Sequence, residues 1–201
     1  MDDSLAAAVL SLQKGELIII IDEEREGEAD LVFAAEHSSP EKIAFMLNHT
    51  SGIITVPLTK ERAQELDLPL MVKKNSEKFC TNFTVSVDAL HQEMTTGVSS
   101  KDRNLTIHTL LYGQMHQLVK PGHMFPLIGK SIQERQGHTE TSLEMCKLAG
   151  LQPMAVICEL MNRDGTMMNK EDALMFATKH QLKVVTIGQI INQNKRKIEK
   201  N

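Results

Sequence analysis

Leu17-Ile18-Ile19-Ile20-Ile21 runs directly into Asp22-Glu23-Glu24-Arg25-Glu26-Gly27-Glu28-Ala29-Asp30, and Leu31-Val32-Phe33 follows. An uninterrupted β-branched run reads as a strand buried on both faces, because a half-exposed strand would alternate apolar with polar residues. Leu31 to Ala35 reads as a second strand. The loop between them holds six of the chain's 26 acidic residues within nine positions. A solvated surface is the ordinary fate of a charge run. Here apolar strands pin both ends, and crowded carboxylates repel one another unless a cation neutralises them. A hard divalent ion that prefers oxygen ligands, Mg²⁺ or Mn²⁺, suits such a set. Arg25 inside the cluster can grip an anion with its planar fork of donors.

Working outward, Leu5, Ala8, Val9 and Leu12 recur at helical spacing between Ser4 and Lys14, and Gly15 follows as the C-cap. Ser39-Pro40-Glu41 opens a second helix with a cap and a proline at its first position. Further helices are predicted over 101–112, 140–149 and 170–180. Ser99-x-x-Asp102 and Asn169-x-x-Asp172 resemble capping boxes, with Asp in the usual Glu position. Strands are predicted at Ile53–Val56, Phe83–Val87, Val156–Leu160 and Val184–Ile187. Strands and helices intermingle without strict alternation. That order predicts an α+β fold with α/β-type layers, a mixed β-sheet covered by helices. No repeat or linker divides the chain, so residues 1–201 read as one domain with a core at about 15–191 and a basic tail at 195–201.

The 201 residues are 41% hydrophobic, with 12 methionines, 6 phenylalanines, 1 tyrosine and no tryptophan. Such a chain buries a core without staples, which excludes disorder and disulfide miniproteins. A net charge of −4 and few aromatic platforms argue against a nucleic-acid binder. Cys80, Cys146 and Cys158 are too few and too scattered for a zinc site or a disulfide framework. The start is acidic where a signal peptide would be basic, and no apolar run reaches membrane length. The expected location is cytoplasmic, with no membrane partner. Lys195-Arg196-Lys197-Ile198-Glu199-Lys200 reads as a solvated tail.

A second chemical signal is Arg135-Gln136-Gly137-His138-Thr139-Glu140, just before a predicted helix. A helix N-terminus offers free N–H groups and partial positive charge to a phosphate. Arg135 adds donors, Gly137 allows close backbone approach and Thr139 offers a hydroxyl. Taken singly, Thr139 reads equally as a plain N-cap and His138 as a surface histidine, and caps are the commoner case. Thr95-Thr96-Gly97-Val98-Ser99 is a weaker anion candidate of the same kind. Glu159 sits in the apolar run Ala155–Met161, where a buried carboxylate needs a partner or a metal unless it lies on a solvent-facing pleat. His123, in Pro121-Gly122-His123-Met124-Phe125-Pro126, reads alone as structural, and the remaining histidines form no constellation.

In their order along the chain, these segments resemble the 3,4-dihydroxy-2-butanone 4-phosphate synthase family of riboflavin biosynthesis, from about Gly15 to Ile191. The motifs are the acidic loop, Ser51-Gly52-Ile53, Phe83-Thr84-Val85-Ser86-Val87-Asp88, Thr95-Thr96-Gly97-x-Ser99-x-x-Asp102-Arg103, Pro121-Gly122-His123-x-Phe125-Pro126-Leu127, Arg135-x-Gly137-His138-Thr139-Glu140 and Cys158-Glu159-Leu160-x-Asn162-x-Asp164-Gly165-Thr166-Met167. The resemblance implies a Mg²⁺-dependent (or Mn²⁺-dependent) lyase converting D-ribulose 5-phosphate to L-3,4-dihydroxybutan-2-one 4-phosphate and formate. It further implies Glu26 and His138 as metal ligands. Arg25, Glu26, Asp30, Glu159 and Arg135 through Thr139 (Gln136, Gly137 and His138 included) would be the substrate contacts, and His123 and Glu159 the catalytic groups. A homodimer with its sites near the subunit interface is implied too. The family often carries a C-terminal GTP cyclohydrolase II domain, which a chain ending at Asn201 is expected to lack.

Such chemistry needs these residue types. An enediol forms by loss of the C3 proton, and expulsion of the C1 hydroxyl needs a proton donor. A cation chelating adjacent oxygens steadies the carbon shift that follows. Ile21, Ala29 and Thr55 replace a usual aspartate, glycine and cysteine of the family, and the stretch from His123 to Arg135 is about two residues short. These departures admit an alternative, a catalytically weakened paralogue that binds a sugar phosphate in a regulatory or scaffold role.

Overall fold

All four isoleucines of β1 (Ile18–Ile21) are buried, Ile19 and Ile21 against one face of the sheet and Ile18 and Ile20 against the other. The computed structural model describes residues 2–198, with side chains described to Lys195. After α1 (Asp3–Gln13) and β1 come β2 (Ala29–Ala34), α2 (Pro40–His49), β3 (Thr55–Leu58), α3 (Lys60–Glu65) and β4 (Val87–Ala89). The chain continues through α4 (Ser100–Tyr112), β5 (Leu118–Ile128), α5 (His138–Leu148), β6 (Ala155–Glu159), α6 (Lys170–His180), β7 (Lys183–Thr186) and α7 (Ile187–Ile198). The strands form one mixed sheet in the order β4-β5-β3-β6-β2-β1-β7. Only β1–β7 and β3–β5 pair in parallel.

Helices cover both faces, because both faces of the central strands are apolar. Ile43 and Met46 of α2, Ile107 and Leu110 of α4, and Phe176 of α6 pack with Ile19, Leu31, Phe33 and Val156. On the other face Leu5 and Leu12 of α1, Met145 of α5 and Ile190 of α7 meet Ile18, Val32 and Ile157. The mixed, helix-covered sheet expected from the sequence is the observed one.

Local signals placed several elements well. Gly15 takes φ +76 after α1, and the Ser39 hydroxyl accepts from the Lys42 N–H. Asn169 caps α6 at the expected residue. Three expectations need correction. The strand expected at Ile53–Val56 lies at Thr55–Leu58, because Gly52, at φ +82, turns the backbone beforehand. Only Val87 of the expected Phe83–Val87 strand joins a ladder. Thr84 N–H donates to the Pro126 carbonyl, and Pro126 has no N–H to return. The strand expected to continue through Ile187 stops at Thr186, which caps α7: Gln189 N–H donates to the Thr186 hydroxyl and Thr186 N–H to the Gln189 side chain. Of the basic tail, Lys195 is exposed on α7, while the side chains of Arg196, Lys197 and Lys200 lie outside the described residues.

Candidate active site

Asp22 follows β1 and folds the acidic loop back on itself. Its carboxylate accepts from the N–H groups of Glu24 and Arg25 at 3.1 and 3.0 Å, and from that of Glu26 at 3.4 Å. This Asx-type turn spends the Asp22 oxygens on backbone and presents Glu26 toward α5. There the Glu26 carboxylate lies 3.3 Å from Nδ1 of His138, and Asp30 of β2 lies 3.8 Å from the same nitrogen. Oxygens of Asp22 and Glu26 and a nitrogen of His138 all fall within 4.8 Å of one another.

His138 is not a surface histidine; it is buried, as is Asp30. Burial opposes the His138 charge, but Asp30, Glu26 and Asp22 outweigh it and raise the pKa to about 9. Burial drives the Asp30 carboxyl up to about 7 against the pull of His138, with Glu159 and Glu26 adding to the rise. Nε2 of His138 and Oδ1 of Asp30 are buried without a hydrogen-bond partner among the described residues. Orphaned polar atoms are rare in a finished interior. A carboxylate–imidazole set with unused buried ligand atoms fits a divalent cation, and Asp22, Glu26 and His138 are close enough together to share one.

Beside this cluster α5 begins without a side-chain cap. Its N-cap is Gly137, not Thr139, so the first N–H groups of the helix stay open. A side chain at Gly137 would come within 2.4 Å of the Arg135 guanidinium. That guanidinium is largely engaged already. It donates to Glu140 at 2.6 Å, to the Thr81 hydroxyl at 2.7 Å and to the Phe79 carbonyl at 3.1 Å. With five N–H donors in all, Arg keeps two for another acceptor. Arg25 donates to the Gln136 carbonyl at 3.0 Å and lies over the Phe79 ring.

Glu159, at the end of β6, stands directly across the ladder from Asp30. The Ser51 hydroxyl donates to its carboxylate at 2.6 Å, and the Ser51 N–H donates to its carbonyl. The neighbouring Cys158 thiol is pushed up to about 11 by burial. Arg25, Glu26, Asp30, Arg135, His138, Thr139 and Glu159 thus line a single cavity of about 410 Å³. A larger hollow of about 1010 Å³ beside α3 carries no histidine, and its acids, Glu61 and Glu134, are accompanied by three lysines.

His123 is not brought to this cavity. It sits in β5 with its side chain 49% exposed, and Nδ1 lies 2.7 Å from Asp88 Oδ2. Gly97, at φ +86, closes over the pair; a Cβ there would lie 2.3 Å from the Asp88 oxygen and 2.5 Å from the imidazole. The Thr95–Ser99 segment thus packs against the Asp88–His123 pair and is tied to α4 through Asp102. Lys78, Phe79 and Thr81 also line the cavity, and no local motif announces them. The departures are mild. Ile21 packs in the core away from the cavity, Ala29 pairs with it across the ladder, and Thr55 lines the cavity while donating to the Ile157 carbonyl.

Fold and site define an α+β protein with a mixed sheet, in which a carboxylate–imidazole cluster faces an open helix start, suited to a divalent cation beside an anionic group. Residues 6–193 match the profile of 3,4-dihydroxy-2-butanone 4-phosphate synthase. A 3,4-dihydroxy-2-butanone 4-phosphate synthase of Helicobacter hepaticus is 46% identical over 191 residues, 92% of this chain and 53% of that protein. The riboflavin biosynthesis protein RibBA of Staphylococcus aureus is 43% identical over 199 residues, 96% of this chain and 50% of that one. A crystal structure of 3,4-dihydroxy-2-butanone 4-phosphate synthase in complex with two magnesium ions superposes with a TM-score of 0.93 at 38% identity, covering 97% of this chain and 98% of that one. The chain belongs to the 3,4-dihydroxy-2-butanone 4-phosphate synthase family. It spans about half the length of the curated relatives it matches.

Proposed function

We propose that the chain converts D-ribulose 5-phosphate to L-3,4-dihydroxybutan-2-one 4-phosphate and formate, with Mg²⁺ as its cation. The observation that carries this reading is the convergence of Glu26, His138, Asp30, Glu159 and the open start of α5 on one cavity. The α5 N–H groups, the Thr139 hydroxyl and the two spare donors of Arg135 hold the phosphate, whose binding energy positions the reacting carbons. Arg25 and Asp30 meet the sugar hydroxyls. Asp30, whose carboxyl burial pushes up, and Glu159, aimed by Ser51, are the two groups placed to move protons on the sugar. A divalent cation held by Glu26 and His138 supplies stabilisation of negative charge on adjacent sugar oxygens.

His123 acts in this reading from a second copy of the chain. Its ring is oriented by Asp88 and exposed next to the edge of the sheet, where Leu90, Tyr112 and Met115 are also exposed. Apolar exposure of that kind favours a subunit contact, and we infer a homodimer that carries each His123 to its partner's cavity. The three free thiols suit a reducing compartment, and we place the protein in the cytoplasm. Among the described residues, no helix is long and apolar enough to cross a membrane. The weakened-paralogue alternative gains no support, since Glu26, Asp30, Arg135, His138 and Glu159 are present together on one cavity. Incubation with ribulose 5-phosphate and Mg²⁺ should release formate stoichiometrically with the four-carbon product. No formate above a metal-chelated control would refute the assignment.

A further inference from the structure

Away from that cavity, the last turns of α2 and α6 and the segment 161–168 enclose a separate hollow of about 450 Å³. Its wall carries His49, Arg163, Lys179 and His180, and no carboxylate. The rings form a tilted, edge-on cluster: the His49 and His180 centroids lie 5.2 Å apart, His180 lies 4.3 Å from Phe176, His49 lies 5.2 Å from Phe176, and Phe45 packs against both imidazoles at 4.6 and 5.3 Å. Among the described residues neither imidazole makes a side-chain hydrogen bond, and neither Arg163 nor Lys179 is in an ion pair. The nearby acids are turned to other partners, Asp172 to the Asn162 amide at 3.1 Å and Asp164 to the Thr166 hydroxyl at 2.7 Å. Burial, then the positive charges of His180, Lys179 and Arg163, hold the His49 imidazole below the ordinary histidine range.

Cations in the last turn of a helix are individually ordinary, because they meet the negative end of its dipole. That accounts for His49, Lys179 and His180 one at a time. It does not account for Arg163, which lies on the intervening segment, nor for the absence of any acid where four basic groups converge. A concave site of a few hundred Å³ with an aromatic wall and unpaired cations matches the size and make-up of small-molecule pockets.

We propose that this hollow binds a small phosphorylated molecule bearing a planar ring, of the nucleoside monophosphate class. The planar ring rests on the cavity-facing side of the His49–His180–Phe176 cluster, and the phosphate meets Arg163 and Lys179. The site is independent of the function proposed above and shares no lining residue with that cavity.

The test is an NMR titration of the full chain with adenosine monophosphate, following the imidazole C–H resonances, with adenosine and inorganic phosphate as parallel arms. Adenosine monophosphate should shift His49 and His180 saturably below about millimolar concentration, leaving His138 in place, and both half-ligands should bind at least roughly tenfold more weakly. The surface double variant R163E/K179E should keep its melting temperature and formate release but lose roughly tenfold or more in affinity. Three results would each overturn the proposal. They are shifts confined to His138, equal binding of phosphate alone, and undiminished affinity in the double variant.

Discussion

Asp30 and Glu159 face each other across the antiparallel β2–β6 ladder, two carboxylates on one side of the same residue pair. Like charges placed directly opposite destabilise a sheet. The sheet tolerates them here because one is buried beside His138 and the other is tied to Ser51. A stability-driven interior would not keep such a pair, and the proposed reaction gives it a use.

Glu159→Gln should therefore cut formate release by at least about 10²-fold, the usual contribution of a general acid or base. The amide still accepts from Ser51 but takes no proton at neutral pH. The melting temperature should hold or rise, since the repulsion toward Asp30 is gone. Near-normal turnover in this variant would remove Glu159 from the mechanism.

Glu26→Gln tests the cation. In the parent protein Mg²⁺ should raise the melting temperature with concentration, by binding only the folded chain. The variant should lose both that response and activity while folding normally, because the loop is held by Asp22 and not by Glu26. A retained Mg²⁺ response would show that the ion binds elsewhere.

Arg135→Ala should do more than weaken phosphate binding. It strands the buried Glu140 carboxylate and frees Phe79 and Thr81, at a cost of about 3–5 kcal/mol for a broken buried pair. Faster amide exchange over residues 79–81 should accompany a rise in KM for the phosphorylated sugar. If KM rose with exchange at 79–81 unchanged, Arg135 would not be what holds that segment in place.

Mixing His123→Ala with Glu159→Gln chains tests the shared site. Each variant alone should be nearly inactive. Hybrids should regain part of the activity, because one of their two cavities combines an intact Glu159 with an intact His123 from the other chain. Absence of rescue in verified mixed dimers would place His123 with its own chain's chemistry or with structure alone.

Asp102, the buried residue that ties the Thr95–Gly97 segment to α4, links stability to acid. Burial pushes its carboxyl up, yet hydrogen bonds from the side chain and N–H of Thr95, from Ser99 and from the N–H of Gly97 bring it down to about 2. A folded-state pKa below the ordinary 3.8 contributes stability above about pH 4, lost as pH falls through about 2. Asp102→Asn turns an amide toward the Gly97 N–H. It should cost about 1.5–3 kcal/mol at neutral pH and converge with the parent near pH 2. A constant difference across acid melts would contradict this.

Contiguous residues were enough for the short-range features. Four successive isoleucines demand burial on both faces, Ser39-Pro40 and Asn169 supply caps, and Gly15 takes a left-handed turn; each is a matter of local sterics and hydrogen bonding. The acidic loop and the Arg135–Glu140 segment were legible as chemistry for the same reason. Long-range register decided the rest. It set Asp30 opposite Glu159, spent three Arg135 donors on Glu140, Thr81 and Phe79, and left α5 open at Gly137. It also drew β5 out through Pro121-Gly122, where any side chain at Gly122 would strike the Val87 backbone at 2.0 Å, and so carried His123 away from the cavity. Spacing along the chain measures what one turn or one pleat brings together. Which distant side chains share a cavity depends on how the strands are ordered and paired, and that is settled only when the sheet is assembled.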